Sequence, residues 1–172
     1  GDFATIEETM NNGINEAKQG LEIIQQVQAI LPDVKSMGEN ADSFAAQLTD
    51  AAGKLKTTLP GVAQNAGSII DGLKMVNTTV ASVAKTVETA VADGELTEEE
   101  KAAIGDLLTA FASDLGDQMQ FATDLQSFVV QLPNYQESSL LQELVSRLDN
   151  VKTLLQGLQQ RVNELNTAVQ NG

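Results

Sequence analysis

The residues with the best claim to chemistry are Asp93-Gly94-Glu95-Leu96 and Glu100, spaced like the latter half of a calcium-binding EF-hand loop. Calcium needs a cage of hard oxygen ligands. With Asp93 in the fifth place of such a loop, the first and third ligands are Thr89 and Val91, and neither supplies a carboxylate. The same residues fit a turn between two helices. Asp-Gly marks a chain reversal. Thr97 and Glu100 have the spacing of a capping box, in which the hydroxyl accepts from a free backbone N–H and the carboxylate reaches back to the cap. Glu98 and Glu99 suit the positive end of the helix dipole. A capped interhelical turn is the expectation.

The remaining candidates read the same way. Paired carboxylates on one helix face could serve acid–base chemistry or a di-metal site. The ferritin-like version needs Glu-x-x-His, and the chain has no histidine. Glu7, Glu8, Glu16 and Glu22 are expected at solvated outer positions. Met10, Met37, Met75 and Met119 could line a ligand groove, but methionine between helices is more often core filler. Tyr135 follows Pro133 and is expected to pack at a joint with its hydroxyl in water. Asn77-Thr78-Thr79 is a glycosylation sequon, of consequence only in a eukaryotic secretory pathway. With no cysteine and no histidine, disulfides, thiol catalysis, Cys/His zinc sites and histidine-based triads are excluded. No catalytic, cofactor-binding or metal-ligating residue is assigned. No cofactor is expected, and the chain is not expected to be an enzyme.

The surface chemistry narrows the partners. The net charge is −14, and only Arg147, Arg161 and the lysines are basic. Such a surface repels phosphate backbones and anionic lipid, so no nucleic-acid partner is expected. The chain has 172 residues, of which 42% are apolar. That is enough for one domain with a real core. The core must be aliphatic, with five Phe, one Tyr and no Trp. No apolar run approaches the length of a membrane span.

The elements that would position these residues are helices. Phe3, Ile6, Met10, Gly13, Ala17, Gly20, Ile24, Val27 and Leu31 keep the 3,4 spacing of a helical seam. Gly13, Ala17 and Gly20 make the middle of that seam small, so a neighbouring helix can approach closely there. Each glycine costs about 1 kcal/mol of helix propensity relative to Ala. Val34, Met37, Ala41, Phe44, Leu48, Ala51 and Leu55 form a second seam. Ile69, Leu73, Val76, Val80, Val83, Val87 and Ala90 form a third, widened by Ile70 and Val91. A fourth runs from Ile104 through Leu108, Phe111 and Leu115 to Leu132, with Phe121 and Phe128 on an additional face. The strictest runs from Leu141 and Leu144 to Leu165 and Val169 with no polar intruder.

The three prolines share one context: Leu31-Pro32-Asp33-Val34, Leu59-Pro60-Gly61-Val62 and Leu132-Pro133-Asn134-Tyr135. Proline breaks or kinks a helix from within and fits well at its first position. The three sites are therefore expected to be joints. The expected helical segments are about 2–31, 34–58, 61–92, 97–131 and 134–170, in a single all-α domain spanning 1–172. Two architectures fit: an elongated antiparallel bundle, and a coiled-coil hairpin with its apex at Asp93-Gly94 and kinks at prolines. The wide apolar faces of the third and fourth segments need more than one partner helix, which favours the bundle.

The repeated Leu-Pro-x-Val joints lie between Ala/Gln/Asn-rich helices. They are joined by a late run, Leu140-Leu141-Gln142-Glu143-Leu144-Val145-Ser146-Arg147-Leu148, continuing through Leu154-Leu155-Gln156-Gly157-Leu158 to Leu165-Asn166. Together they resemble the extracellular region of the phage infection protein (Pip/YhgE) family, most clearly over residues 31–62 and 125–166. The resemblance is one of style and spacing and carries no catalytic motif. It implies a helical segment outside a Gram-positive cell, between an N-terminal membrane helix and a C-terminal membrane domain, in proteins linked to phage infection or to secretion and export. The chain begins Gly1-Asp2-Phe3 and lacks every membrane helix of that pattern. On this reading Gly1 is a tag-cleavage scar, and the domain is excised from a larger membrane protein.

The expected function is a non-enzymatic structural and interaction module, the extracellular stalk of a bacterial membrane protein. Its expected partners are proteins: a second copy, a phage or secretion components. It would meet the membrane only through segments absent from this chain. A ligand-binding sensor bundle and a cytosolic coiled-coil adaptor are the alternatives.

Overall fold

The computed structural model describes residues 2–171, and the side chains of all of these except Asp2, Glu16, Ala17 and Gln19. The readings made for Gly1, Glu16 and Ala17 therefore lie outside the described residues. Four long helices account for nearly the whole chain: α1 (Asp2–Gly53), α2 (Pro60–Val91), α3 (Glu98–Val130) and α4 (Ser139–Gln170). The fold is an all-α bundle, and the bundle reading prevails over the hairpin. Each helix pairs with its neighbours in the opposite sense. Lys35 meets Glu88 and Asp42 meets Asn77 across α1–α2. Lys54 meets Glu143 and Asp33 meets Arg161 across α1–α4.

The seams form the core. Every seam residue expected from Leu141 to Val169 in α4 is buried, as are Ile69, Leu73, Val76, Val80, Val83 and Val87 of α2. Ile70 and Val91 are buried too. Fully burying one such aliphatic side chain contributes about 1.5–3 kcal/mol. The bundle is held by these rows, since its ion pairs are mostly exposed and each adds little.

Two joints differ from expectation. Pro32 lies inside α1, so segments 2–31 and 34–58 are one helix that ends at Gly53. The seam explains this. Val27, Leu31, Val34 and Ala41 are all buried on one uninterrupted 3,4 row that passes through the proline. A break there would throw the second half out of register. Pro32 itself is exposed, so its ring takes no place in the seam. At Pro133 the chain turns, but α4 does not begin there. A short 3-10 helix, Tyr135–Glu137, intervenes, and α4 starts at Ser139. Ser138 supplies the reason: its Oγ accepts from Leu141 N at 3.2 Å, capping the helix. Only Pro60 takes the expected first helical position, after Leu59.

The reversal between α2 and α3 matches expectation. Gly94 has φ of 81°, a conformation open to glycine at no steric cost. Thr97 Oγ1 accepts from Glu100 N at 3.0 Å, and Glu100 Oε1 accepts from Thr97 N at 2.9 Å.

α1 is longer than its companions. Its core residues begin at Ile24, level with the end of α4, where Gln26, Ala29 and Ile30 face Asn163, Thr167 and Asn171. The preceding turns, from Phe3 onward, continue as a lone helix. At ~1.5 Å per residue α1 is about 78 Å long, and about 30 Å of it overhangs the bundle.

Candidate interaction surfaces

Among the described residues, no group of three or more His, Cys, Asp or Glu side chains could hold a metal ion. No helix among them is long and apolar enough to cross a membrane. Asp93 is used by the turn, its Oδ1 accepting from Glu95 N at 3.1 Å. Glu7, Glu8 and Glu22 are exposed, as expected. Tyr135 packs partly against the core at the joint. Asn77 of the sequon lies within α2, and its Nδ2 donates to Asp42 Oδ2 at 3.0 Å, tying α2 to α1. The methionines divide. Met37 and Met119 pack against the core as filler. Met10 and Met75 do not, being 62% and 68% exposed.

Three glutamines between α3 and α4 are engaged by the chain itself. Gln126 is buried between α3 and α4. Its Nε2 donates to Val145 O (3.0 Å) and Asp149 Oδ1 (2.6 Å), and its Oε1 accepts from Lys152 Nζ (2.9 Å). Gln159 Nε2 donates to Ala112 O at 2.9 Å, and Gln170 Nε2 to Lys101 O at 2.8 Å. Glutamine amides thus bridge α3 and α4 at three levels. Glycines make room for two of them: a Cβ on Gly105 would stand 2.9 Å from Gln170 Nε2, and one on Gly116 3.3 Å from Gln159 Nε2. Sequence reasoning missed this ladder. Its signal is Gln126 on the seam side of α3, four residues after Ala122 and three before Val129.

What the bundle leaves open is apolar surface, in two places. The first is the α2–α3 face. Met75 and Phe121 are exposed there, beside shallow grooves lined by Ile69, Val76 and Phe111 and flanked by Asp114 and Asp117; the exposed Phe128 lines a separate groove with Leu59, Pro60 and Leu132. Gln118 fills the gap opposite Gly72, with its Oε1 buried and without a hydrogen-bond partner. The second is the overhang of α1. Phe3 is 90% exposed, and Ile6, Met10, Ile14 and Leu21 are each more than half exposed. Gly13 and Gly20, where close packing was expected, have open space around them.

Comparison of the chain with protein-family models, curated proteins and solved structures finds no match. The overhang face is continuous with a packed one: the 3,4 row of Phe3, Ile6 and Met10 runs without a phase change into Ile24, Val27 and Leu31, which are buried. The α2–α3 face borders a seam too, through the buried Ile69 and Phe111. Beside the root of the overhang, α1 and α4 frame an open groove of about 540 Å³ lined by Ala29, Ile30 and Ala168 with Asn163 and Thr167 at its edges.

Proposed function

We propose that the chain is a non-enzymatic structural and interaction module, a rigid helical stalk presenting apolar surfaces to protein partners. The observation that carries this reading is the overhang of α1, a packing seam continued beyond the packing it serves. Contiguous exposed apolar surface on a folded protein commonly marks an interaction site. The glutamine ladder supports the stalk half of the reading, since main-chain and side-chain bridges fix how α3 and α4 slide. A ligand-sensing bundle would present interior polar groups to its ligand, and here Gln126 is bonded to Val145, Asp149 and Lys152.

The stalk is proposed to stand on the outer face of a bacterial membrane, within a larger protein of the phage infection type. Two things support that placement: the resemblance in the Leu-Pro-x-Val and leucine-rich runs, and an acidic surface of net charge −14 that suits standing clear of anionic lipid. The test is to read the parent gene outward from the codons for Asp2 and Asn171. An apolar span upstream and several downstream are expected. A frame that closes nearby on both sides with no apolar span overturns the placement and favours a cytosolic adaptor.

A further inference from the structure

We infer that the α2–α3 face is a docking site for a basic amphipathic helix of another protein. The inference rests on the reading of the chain as an interaction module and names the chemistry of the partner.

The first argument is the state of the seam. Polar bridges tie α1 to α2, α1 to α4 and α3 to α4. Among the described residues, no hydrogen bond or ion pair joins α2 to α3. Gln118 fills the gap at Gly72, and its Oε1 is buried without a donor. An unmade hydrogen bond of that kind costs stability, and an N–H brought into the seam relieves it. The second argument is shape. The two grooves measure about 240 and 260 Å³, below the ~300–1,000 Å³ typical of sites that enclose a small molecule. They suit single side chains instead. Ile69 lines one and Val76 the other, about 10.5 Å apart at ~1.5 Å per residue. That is the spacing of the i and i+7 anchors of a helix laid along a groove. Met75 and Phe121 stand exposed beside them, ready to be covered.

Charge selects the occupant. Asp114 and Asp117 border the grooves, and no lysine or arginine lines either one. Among the described residues, neither carboxylate has a hydrogen bond or ion pair within the chain. A second copy brought face to face would set these aspartates against their equivalents, which like-charge repulsion opposes. Nucleic acid and anionic lipid are repelled on the same ground. A helix with an apolar stripe bordered by Lys and Arg meets both requirements: the stripe covers Met75 and Phe121, and the cations face Asp114 and Asp117. Such pairing is steered by charge and weakens as salt rises.

The experiment is fluorescence anisotropy of labelled model peptides titrated with the full chain. The probe is a helical peptide of about 20 residues with leucines at i, i+3 and i+7 and lysines and arginines on both sides of that stripe. Its controls are a scramble of identical composition with no apolar stripe, and a version with glutamate in place of every basic residue. The striped basic peptide should bind at least tenfold more tightly than either control. Met75→Ser with Phe121→Ser should weaken it at least tenfold, with an unchanged melting temperature because both side chains are exposed. Asp114→Asn with Asp117→Asn should weaken it severalfold and flatten the salt dependence. Glu7→Gln with Glu8→Gln, the same charge change on the overhang, should leave binding unchanged. A scramble that binds equally well, or an overhang variant that weakens binding as much as the groove variant, reduces the effect to net charge and overturns the inference. Equal binding of the acidic peptide overturns the choice of a basic partner, and no binding of the striped basic peptide overturns the site. Sedimentation tests the remaining occupant: a dimer of the wild-type chain that Met75→Ser with Phe121→Ser converts to monomer assigns the face to a second copy and overturns the inference. Failure here leaves the overhang of α1 to carry the interaction reading, and the flanking apolar spans test the stalk's placement separately.

Discussion

Replacing Pro32 with alanine should stabilise the protein, and the size of the gain follows from the position of the residue. Pro32 is interior to α1 and exposed. It has no N–H to donate to the Gln28 carbonyl, and its ring crowds that carbonyl. Relative to alanine, proline costs about 3 kcal/mol in a helix interior. Proline also stiffens the unfolded chain, which returns about 0.4–1 kcal/mol. No core contact is lost, because the ring faces water. The net expectation for Pro32→Ala is a gain of about 2 kcal/mol. For a chain of this size that corresponds to about 4–8 °C in melting temperature. Thermal unfolding followed by far-ultraviolet circular dichroism reads it directly. Pro60→Ala is the internal comparison: Pro60 opens α2, where its missing N–H has no helical acceptor in any case. That change should be neutral or lower stability by up to about 1 kcal/mol. If Pro32→Ala were no more stable than wild type, or behaved like Pro60→Ala, Pro32 would be a joint and the continuous seam through it would be wrong.

Three other perturbations probe the packing. A Cβ on Gly38 would stand 2.6 Å from Val80 Cγ1, whereas Gly67 has open space; Gly38→Ala should destabilise by about 1–3 kcal/mol through overpacking and Gly67→Ala should stabilise by about 0.4–1 kcal/mol, both read from urea midpoints. Thr97→Ala removes the α3 cap and should lower stability by about 1 kcal/mol, with a smaller loss for Thr97→Ser, in the same assay. The Lys54 ammonium is held above its ordinary value of 10.5, first by its hydrogen bond to Glu143 and then by the charge of Asp50. A raised folded value means that its contribution is present below the unfolded pKa and is lost as pH rises through the folded one. The difference in urea midpoint between wild type and Lys54→Met should therefore be steady from neutral pH up to 10.5 and shrink above it. It should also be small, since the pair is exposed.

Much of the fold was legible because it is written in one period. The 3,4 rows of α2, α3 and α4 marked the residues that are buried, and Asp93-Gly94 with Thr97 and Glu100 located a reversal to the residue. Proline was the misleading signal. Its local preference at Pro32 was overridden by a longer-range one, the unbroken row from Val27 to Ala41, whose burial outweighs one lost hydrogen bond. At Pro133 the local preference was right about the turn and wrong about the start, because Ser138 caps the helix and the next seam residue is Leu141. The exposed surfaces were less legible. Met10 has the spacing of a seam residue and is exposed. Whether such a residue is covered depends on how far the neighbouring helices extend and how tightly they approach, and no local pattern carries that.

The glycines link the legible part to the surfaces. Gly38 lets α1 and α2 come into contact at Val80, and Gly105 and Gly116 let α4 glutamines reach α3 carbonyls. Those seams are closed and their register is fixed. At α2–α3 the arrangement differs. Gly72 also faces a glutamine, but Gln118 fills the gap with its Oε1 unbonded, so this seam has no bridge of that kind and its flanking aromatics remain in water. Gly13 and Gly20 face nothing within the chain. The same device, a small residue opposite a larger side chain, is thus used inside the bundle and left unused in the overhang. Gly67 of α2 likewise has open space around it, so the glycines of the overhang cost helix stability without a packing role within the chain.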